Sequence, residues 1–174
     1  DSSGILRGVV DANGRVLFTL HYTGQLLTEV RDYPIAGNAG DLPPRSVIYG
    51  YDSYNRLTSV TDARGGITYY DYDPQNRLIK ITDQEGRIEQ FDYIGNAIVK
   101  RTAPDGGVTD SLYSYDTVQQ QFISKITGPE TAAGRKQEEF IHNRSGKLVQ
   151  QITNGRTDDQ VIYDPAARAE SHTN

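Results

Sequence analysis

The stretch YGYDSYNRLTSVTDARGGITYYDYDPQNRLIKITDQEGRIEQFDY, from Tyr49 to Tyr93, decides the fold, because it nearly repeats itself after 21 residues. Tyr51 returns as Tyr72 and Tyr93, Leu57 as Leu78 and Val99, Val60 as Ile81, and Asp62 as Asp83. Gly65 returns as Gly86 and Gly107. Self-similarity at a fixed period is the signature of a repeat architecture, in which one unit cannot bury its own apolar face and neighbours must stack on it.

Within one period, two short segments rich in Ile, Leu, Phe and Tyr are bounded by turn residues, the pattern of a β-hairpin. The turns are Asp62-Ala63-Arg64-Gly65, Asp83-Gln84-Glu85-Gly86 and the Asn-ended Asp52-Ser53-Tyr54-Asn55 and Asp73-Pro74-Gln75-Asn76. Each begins with Asp, whose carboxylate can accept a backbone N–H two residues on. Each ends with Gly or Asn, the residues most tolerant of positive φ. The predicted fold class is therefore all-β: tandem hairpins of about 21 residues forming a curved or spiral antiparallel sheet.

The second strand of each frame carries an aromatic pair two residues apart, hence on one face. These pairs are Tyr49/Tyr51, Tyr70/Tyr72, Phe91/Tyr93 and Tyr113/Tyr115, followed by the weaker Phe140/His142 and Val161/Tyr163. Side by side, such rings form a packing ladder along the sheet. Leu57 and Val60 lie three apart and face opposite ways in a regular strand. Either both faces are partly buried or a bulge intervenes.

Outward from the twin copies the frame weakens but persists. His21 falls on the Tyr72 position, Leu27 on Leu78 and Asp32 on Asp83. The spacing then breaks at IAGNAGDLPPR, so a loop insertion is predicted near 33–46, and a second, TGPETAAGRKQ, near 127–137. The expected organisation is one segment over 1–174 with about seven frames.

Composition narrows the function. The 174 residues are 36% hydrophobic, with 12 Tyr, 4 Phe and no Trp, Met or Cys, which suits a thin β-structure rather than a thick helical core. A net charge of −5 offers no basic face for nucleic acid. Without Cys there are no disulfides, thiolate zinc sites or thiol nucleophiles. No apolar run reaches the roughly 18 residues of a membrane helix. The missing initiator Met gives the expectation that Asp1 is a boundary within something longer.

The unit Tyr-Asp-x-x-Asn/Gly-Arg-Leu-x-x-Val-Thr-Asp-x-x-Gly, complete at Tyr51–Gly65 and again at Tyr72–Gly86, resembles the YD repeat of the Rhs family. That family includes bacterial Rhs toxins, toxin-complex C components, wall-associated proteins and teneurins. The resemblance implies hairpins wound into a spiral sheet that closes as a hollow shell, holding a C-terminal toxic domain in the toxin members. The autoproteolytic segment of such proteins has no counterpart among these residues, so no cleavage residue carries over.

No catalytic constellation competes with this reading. His21 and His142 occupy the tyrosine slot and His172 lies in the tail. Asp71/Asp73 and Asp158/Asp159 match neither an EF-hand nor a calcium β-roll, and turn capping accounts for Asp at turn starts. Asn143-Arg144-Ser145 reads as a sequon but sits in the Asp turn slot. The expectation is a non-enzymatic, cofactor-free and metal-free wall segment of an exported bacterial protein, secreted or at the cell surface. Its partners are the rest of the polypeptide and a toxin cargo, with no nucleic acid. The alternative is a surface adhesion module whose aromatic face recognises carbohydrate or protein.

Overall fold

The computed structural model describes residues 4–33, 44–154, 156–163 and 169–173, the last two segments as backbone only. Part of the 33–46 insertion thus lies outside the described residues, as do the side chains of Asp158, Asp159, Tyr163 and His172. The described chain is all-β, and it divides into two compact units, Asp1–Ile88 and Glu89–Asn174.

The first unit holds β1 (Gly8–Val10), β2 (Val16–Thr23), β3 (Leu26–Asp32), β4 (Ser46–Tyr51), β5 (Leu57–Thr61), β6 (Ile67–Tyr72) and β7 (Leu78–Thr82). Each pairs antiparallel with the next in chain order, as tandem hairpins require. The second unit begins in β8 (Ile88–Ile94), then β9 (Ala97–Thr102), β10 (Val108–Asp116), β11 (Gln121–Thr127), β12 (Gln137–His142), β13 (Leu148–Thr153), β14 (Arg156–Tyr163) and β15 (Ala169–Thr173). These strands also pair with their sequence neighbours. The stretch predicted as an insertion near 127–137 runs from the last residue of β11 to the first of β12.

The register settles the three-residue spacing of Leu57 and Val60. Tyr49 pairs with Val60 and Gly50 with Ser59, but Tyr51 pairs with Leu57, leaving Thr58 as the extra residue of a β-bulge. Directly paired residues share a face, so Tyr49, Tyr51, Leu57 and Val60 all lie on one side. The same bulge recurs where Tyr72 meets Leu78, with Ile79 extra. It recurs again where Tyr93 meets Ile98, where Tyr163 meets Ala169 and where His142 meets Leu148.

In the first unit this places Val30, Val47, Tyr49, Val60 and Tyr70 on one face, and Glu29, Arg31, Ser46, Asp71 and Lys80 on the other. Ion pairs Arg31–Glu29 (2.9 Å) and Lys80–Asp71 (2.6 Å) line the polar side. The second unit is less sharply divided, because Tyr113 and Tyr115 occupy one face of β10 while Leu112 stands on the other. Burial is shallow throughout. Among the described residues Ile141, at 9% exposure, is the most enclosed apolar side chain, as befits a single layer of sheet.

Two frame positions differ from the sequence alignment. Tyr22, not His21, occupies the bulge opposite Leu27, because β2 and β3 are joined by the two-residue turn Gly24-Gln25 rather than by a longer Asp-headed turn. Likewise Ile98, not Val99, faces Tyr93, because Gly95-Asn96 forms another two-residue connection. Gly24 (φ 62°) and Gly95 (φ 58°) supply the positive φ that such tight hairpins demand.

Candidate functional site

The most regular local constellation is the Asp-headed turn. In each case the Asp backbone N–H donates to the carbonyl four residues on, and the residue three on donates to the Asp carbonyl: Asp52 N–H to Arg56 O and Asn55 N–H to Asp52 O, both 3.0 Å. The carboxylate closes the inside of the turn. Asp52 Oδ1 accepts from the N–H of Tyr54 (2.9 Å) and of Arg56 (3.0 Å), and Asp73 Oδ1 accepts from Gln75 and Arg77 (2.9 Å each). Asp62 does the same for Arg64 (2.7 Å) and Gly66 (2.9 Å), and Asp83 for Glu85 (3.0 Å) and Arg87 (2.9 Å). Asp11 caps Asn13 and Arg15 in the β1–β2 turn.

The fourth turn residue has positive φ at Asn55 and Asn76 (63° each), Gly65 (88°) and Gly86 (78°). Asn143 plays the Asp part at the β12–β13 turn. Its Oδ1 accepts from the backbone N–H of Ser145 and of Lys147 (3.0 Å each) and from Ser145 Oγ (2.8 Å), so its side chain serves the turn.

The role of the following arginine is a feature that sequence reasoning missed, although the signal is plain: the residue four after the Asp is Arg15, Arg56, Arg77 or Arg87 in four of these turns. Its guanidinium returns to the second carboxylate oxygen of the same Asp, with Nε–Oδ2 distances of 2.7 Å for Arg56–Asp52 and Arg77–Asp73 and 2.6 Å for Arg87–Asp83. Arg56 reaches further, donating through Nη1 to Asn76 Oδ1 (3.0 Å) and Asp73 O (3.2 Å) of the next turn along the chain. It also lies over the rings of Tyr72 (5.0 Å) and Tyr54 (5.3 Å). One side chain thereby clamps two consecutive repeats. Lysine, a point charge on a flexible stem, cannot reproduce that fork. Arg56→Lys is expected to destabilise the fold by roughly 1–2 kcal/mol, while Arg64→Lys on an exposed turn leaves it unchanged. Urea unfolding of both variants distinguishes them.

The aromatic positions sort by environment. Tyr49, Tyr51, Tyr70, Tyr72, Phe91 and Tyr93 are half-buried, whereas Tyr113 and Tyr115 are exposed. The Tyr51 hydroxyl donates to Leu27 O (2.8 Å), Tyr72 to Leu57 O (2.9 Å) and Tyr22 to Leu6 O (3.1 Å). Leu27 and Leu57 are bulge residues, so the phenol reaches a carbonyl where the bulge interrupts the ladder. Burial pushes the Tyr72 phenol above its ordinary range against the opposing pull of Arg56. The Tyr115 ring instead meets Phe122 at 4.8 Å across β10 and β11. Tyr163 sits at a bulge opposite Ala169.

The capping geometry makes the turns acid-sensitive. The Arg56 N–H bond is the largest influence holding Asp52 below the usual carboxylate range, and the Arg64 N–H does so at Asp62. At Asp73 and Asp83 desolvation pushes upward, but the N–H bonds and guanidinium of Arg77 and Arg87 outweigh it. Carboxylates whose folded pKa lies below the unfolded value stabilise the fold above the unfolded pKa and lose that contribution as pH falls through the folded one. Thermal melts are therefore expected to show a plateau down to about pH 4 and a falling midpoint below it. A midpoint unchanged between pH 5 and pH 2.5 would contradict the capping role.

Among the described residues no three His, Asp or Glu side chains are placed to hold a metal ion. Asp71 and Asp73, two residues apart in YYDYD, are drawn to different cations, Lys80 and Arg77 (2.6 Å each). The arrangement orders turns and joins hairpins.

Comparison with known proteins agrees with this geometry. The RHS Repeat family model matches residues 51–88, the stretch that contains both complete turn pairs and the Arg56 clamp. A search of curated proteins finds no match. Among solved structures, TcdB2-TccC3 matches over 94% of this chain with a TM-score of 0.59 at 15% identity. TcdB2-TccC3-TEV matches over 91% with a TM-score of 0.64 at 13% identity. The Tc holotoxin pore of Photorhabdus luminescens matches over 94% with a TM-score of 0.58 at 14% identity. At these identities the likeness establishes the fold, and the chain spans 8 to 9% of the length of these structures.

Proposed function

With residues 51–88 an RHS repeat, we propose that the chain is a non-catalytic segment of wall in an exported bacterial Rhs/YD-repeat protein, enclosing a C-terminal toxin. The observation that carries the proposal is the extent of the fold likeness: the TcdB2-TccC3 match covers 94% of this chain while the chain accounts for 9% of that one. The local chemistry supports it, since the carboxylates, guanidiniums and phenols of the repeat are spent on turns and on links between hairpins. In this reading the 1–174 segment is one continuous run of about seven frames, and its partners are the flanking repeats and the enclosed cargo.

The test is protease protection of the full-length polypeptide. The C-terminal region is expected to resist digestion in the intact protein. A paired Arg56→Ala and Tyr72→Ala substitution, which removes the clamp between two repeats, is expected to expose it. A C-terminal region cleaved at the same rate with and without the substitutions would contradict enclosure.

A further inference from the structure

The connection from β11 to β12 departs from the tight turns of the repeat. It runs over residues 128–136, nine residues where the other fully described connections have two to five. Residues 129–133 are exposed. An open cleft of about 600 Å³ separates them from the β9–β10 turn, lined by Asp105, Gly107, Pro129, Glu130 and Arg135 among others. Apolar packing therefore does little to hold the connection down. Arg135 does so instead. Its Nε donates to Gly128 O (2.6 Å), and its Nη2 to Asp110 Oδ2 (2.7 Å), Val108 O (3.1 Å) and Thr127 O (3.2 Å). One guanidinium thus ties the connection both to its own base and to β10.

The same side chain is what a trypsin-class protease must take into its specificity pocket to cut the Arg135–Lys136 bond. Such enzymes act on exposed connections long enough to open locally, which the two- to five-residue turns are not. While the guanidinium serves its four acceptors it cannot enter that pocket, so scission waits for the latch to open. The next basic site is better protected. The Gln137 N–H donates to Asn154 Oδ1 (2.9 Å), and Gln137 already pairs with Thr127 in the ladder, which fixes the Lys136–Gln137 bond. We infer that Arg135–Lys136 is a latched site of limited proteolysis. Water adds at the Arg135 carbonyl, the bond to the Lys136 nitrogen breaks, and a carboxylate and an ammonium remain. The nicked chain stays joined, because β11 and β12 pair along six residues and each has a further partner in β10 and β13. The inference concerns one connection and does not rest on the wall proposal.

The test is trypsin digestion of the intact protein under native conditions, with the cut bonds mapped by mass spectrometry. Arg135–Lys136 is expected to be cut before Arg64–Gly65 and Arg144–Ser145, whose arginines stand in five-residue turns. Asp110→Ala keeps Arg135 as a substrate and removes one acceptor of the latch. It is expected to speed the cut at Arg135–Lys136 by about fivefold, as loss of a partly exposed charged hydrogen bond predicts, and to leave the rates at Arg64 and Arg144 unchanged. Arg64–Gly65 or Arg144–Ser145 cut first in the wild-type protein, or an unchanged rate at Arg135–Lys136 in the variant, overturns the assignment. If the variant is cut faster at all three bonds, it has lost its fold, and the order of cuts in the wild-type protein decides.

Discussion

Tyr72→Ala is expected to lower the unfolding free energy by about 2–4 kcal/mol, and Tyr72→Phe by about 1 kcal/mol. The difference separates the two things this side chain does. Its ring is half-buried on the apolar face opposite Leu78 and supports the Arg56 guanidinium at 5.0 Å. Its hydroxyl donates to Leu57 O at 2.9 Å, the carbonyl of the preceding bulge. Phenylalanine keeps the ring and strands the carbonyl, while alanine removes both. Because a domain of this size is stable by only some 5–15 kcal/mol, the alanine variant is expected to unfold at markedly lower urea. Equal effects of the two substitutions would mean that the hydroxyl bond, not the ring, carries the contribution.

Gly86→Val is expected to cost about 1–3 kcal/mol, and Gly86→Asn less than about 1 kcal/mol. Gly86 stands at φ 78°, and a Cβ built on it meets nothing within 4 Å. The penalty therefore comes from the backbone alone, since a β-branched residue is strongly disfavoured in the left-handed region. Asparagine already holds the same slot at Asn55 and Asn76, with φ 63°. Gly65, at φ 88°, is expected to show the same order. Chemical denaturation of the Val and Asn pair at each site checks both.

These expectations rest partly on what the sequence makes legible and partly on what it hides. The turns are legible because the demand is local: a carboxylate or carboxamide at the head and Gly or Asn four residues in, as at Asp62–Gly65 and Asp73–Asn76. The hairpin order follows from the period, since neighbouring repeats must pair to cover one another. The bulge is not legible from Leu57 and Val60 alone, because an extra residue such as Thr58 leaves no mark in composition; it shows only in cross-strand register. The same blindness explains Tyr22. With two turn residues instead of four, the frame shortens by one and places the wrong aromatic, His21, on the repeat position.

Arg56 was hidden for a different reason. A basic residue after a turn reads as solvated charge, and its clamp onto Asn76 and Asp73 depends on the spatial neighbour supplied by the next hairpin. The polar contacts that join successive repeats are set by residues distant in sequence, so they lie beyond any pattern of spacing within one unit.

Electron cryomicroscopy of the full-length polypeptide tests the central claim most directly. The account predicts that the hairpins of residues 51–88 lie within a continuous β-wall surrounding enclosed polypeptide density. Those hairpins found outside any enclosing wall, with the C-terminal region free in solvent, would contradict it.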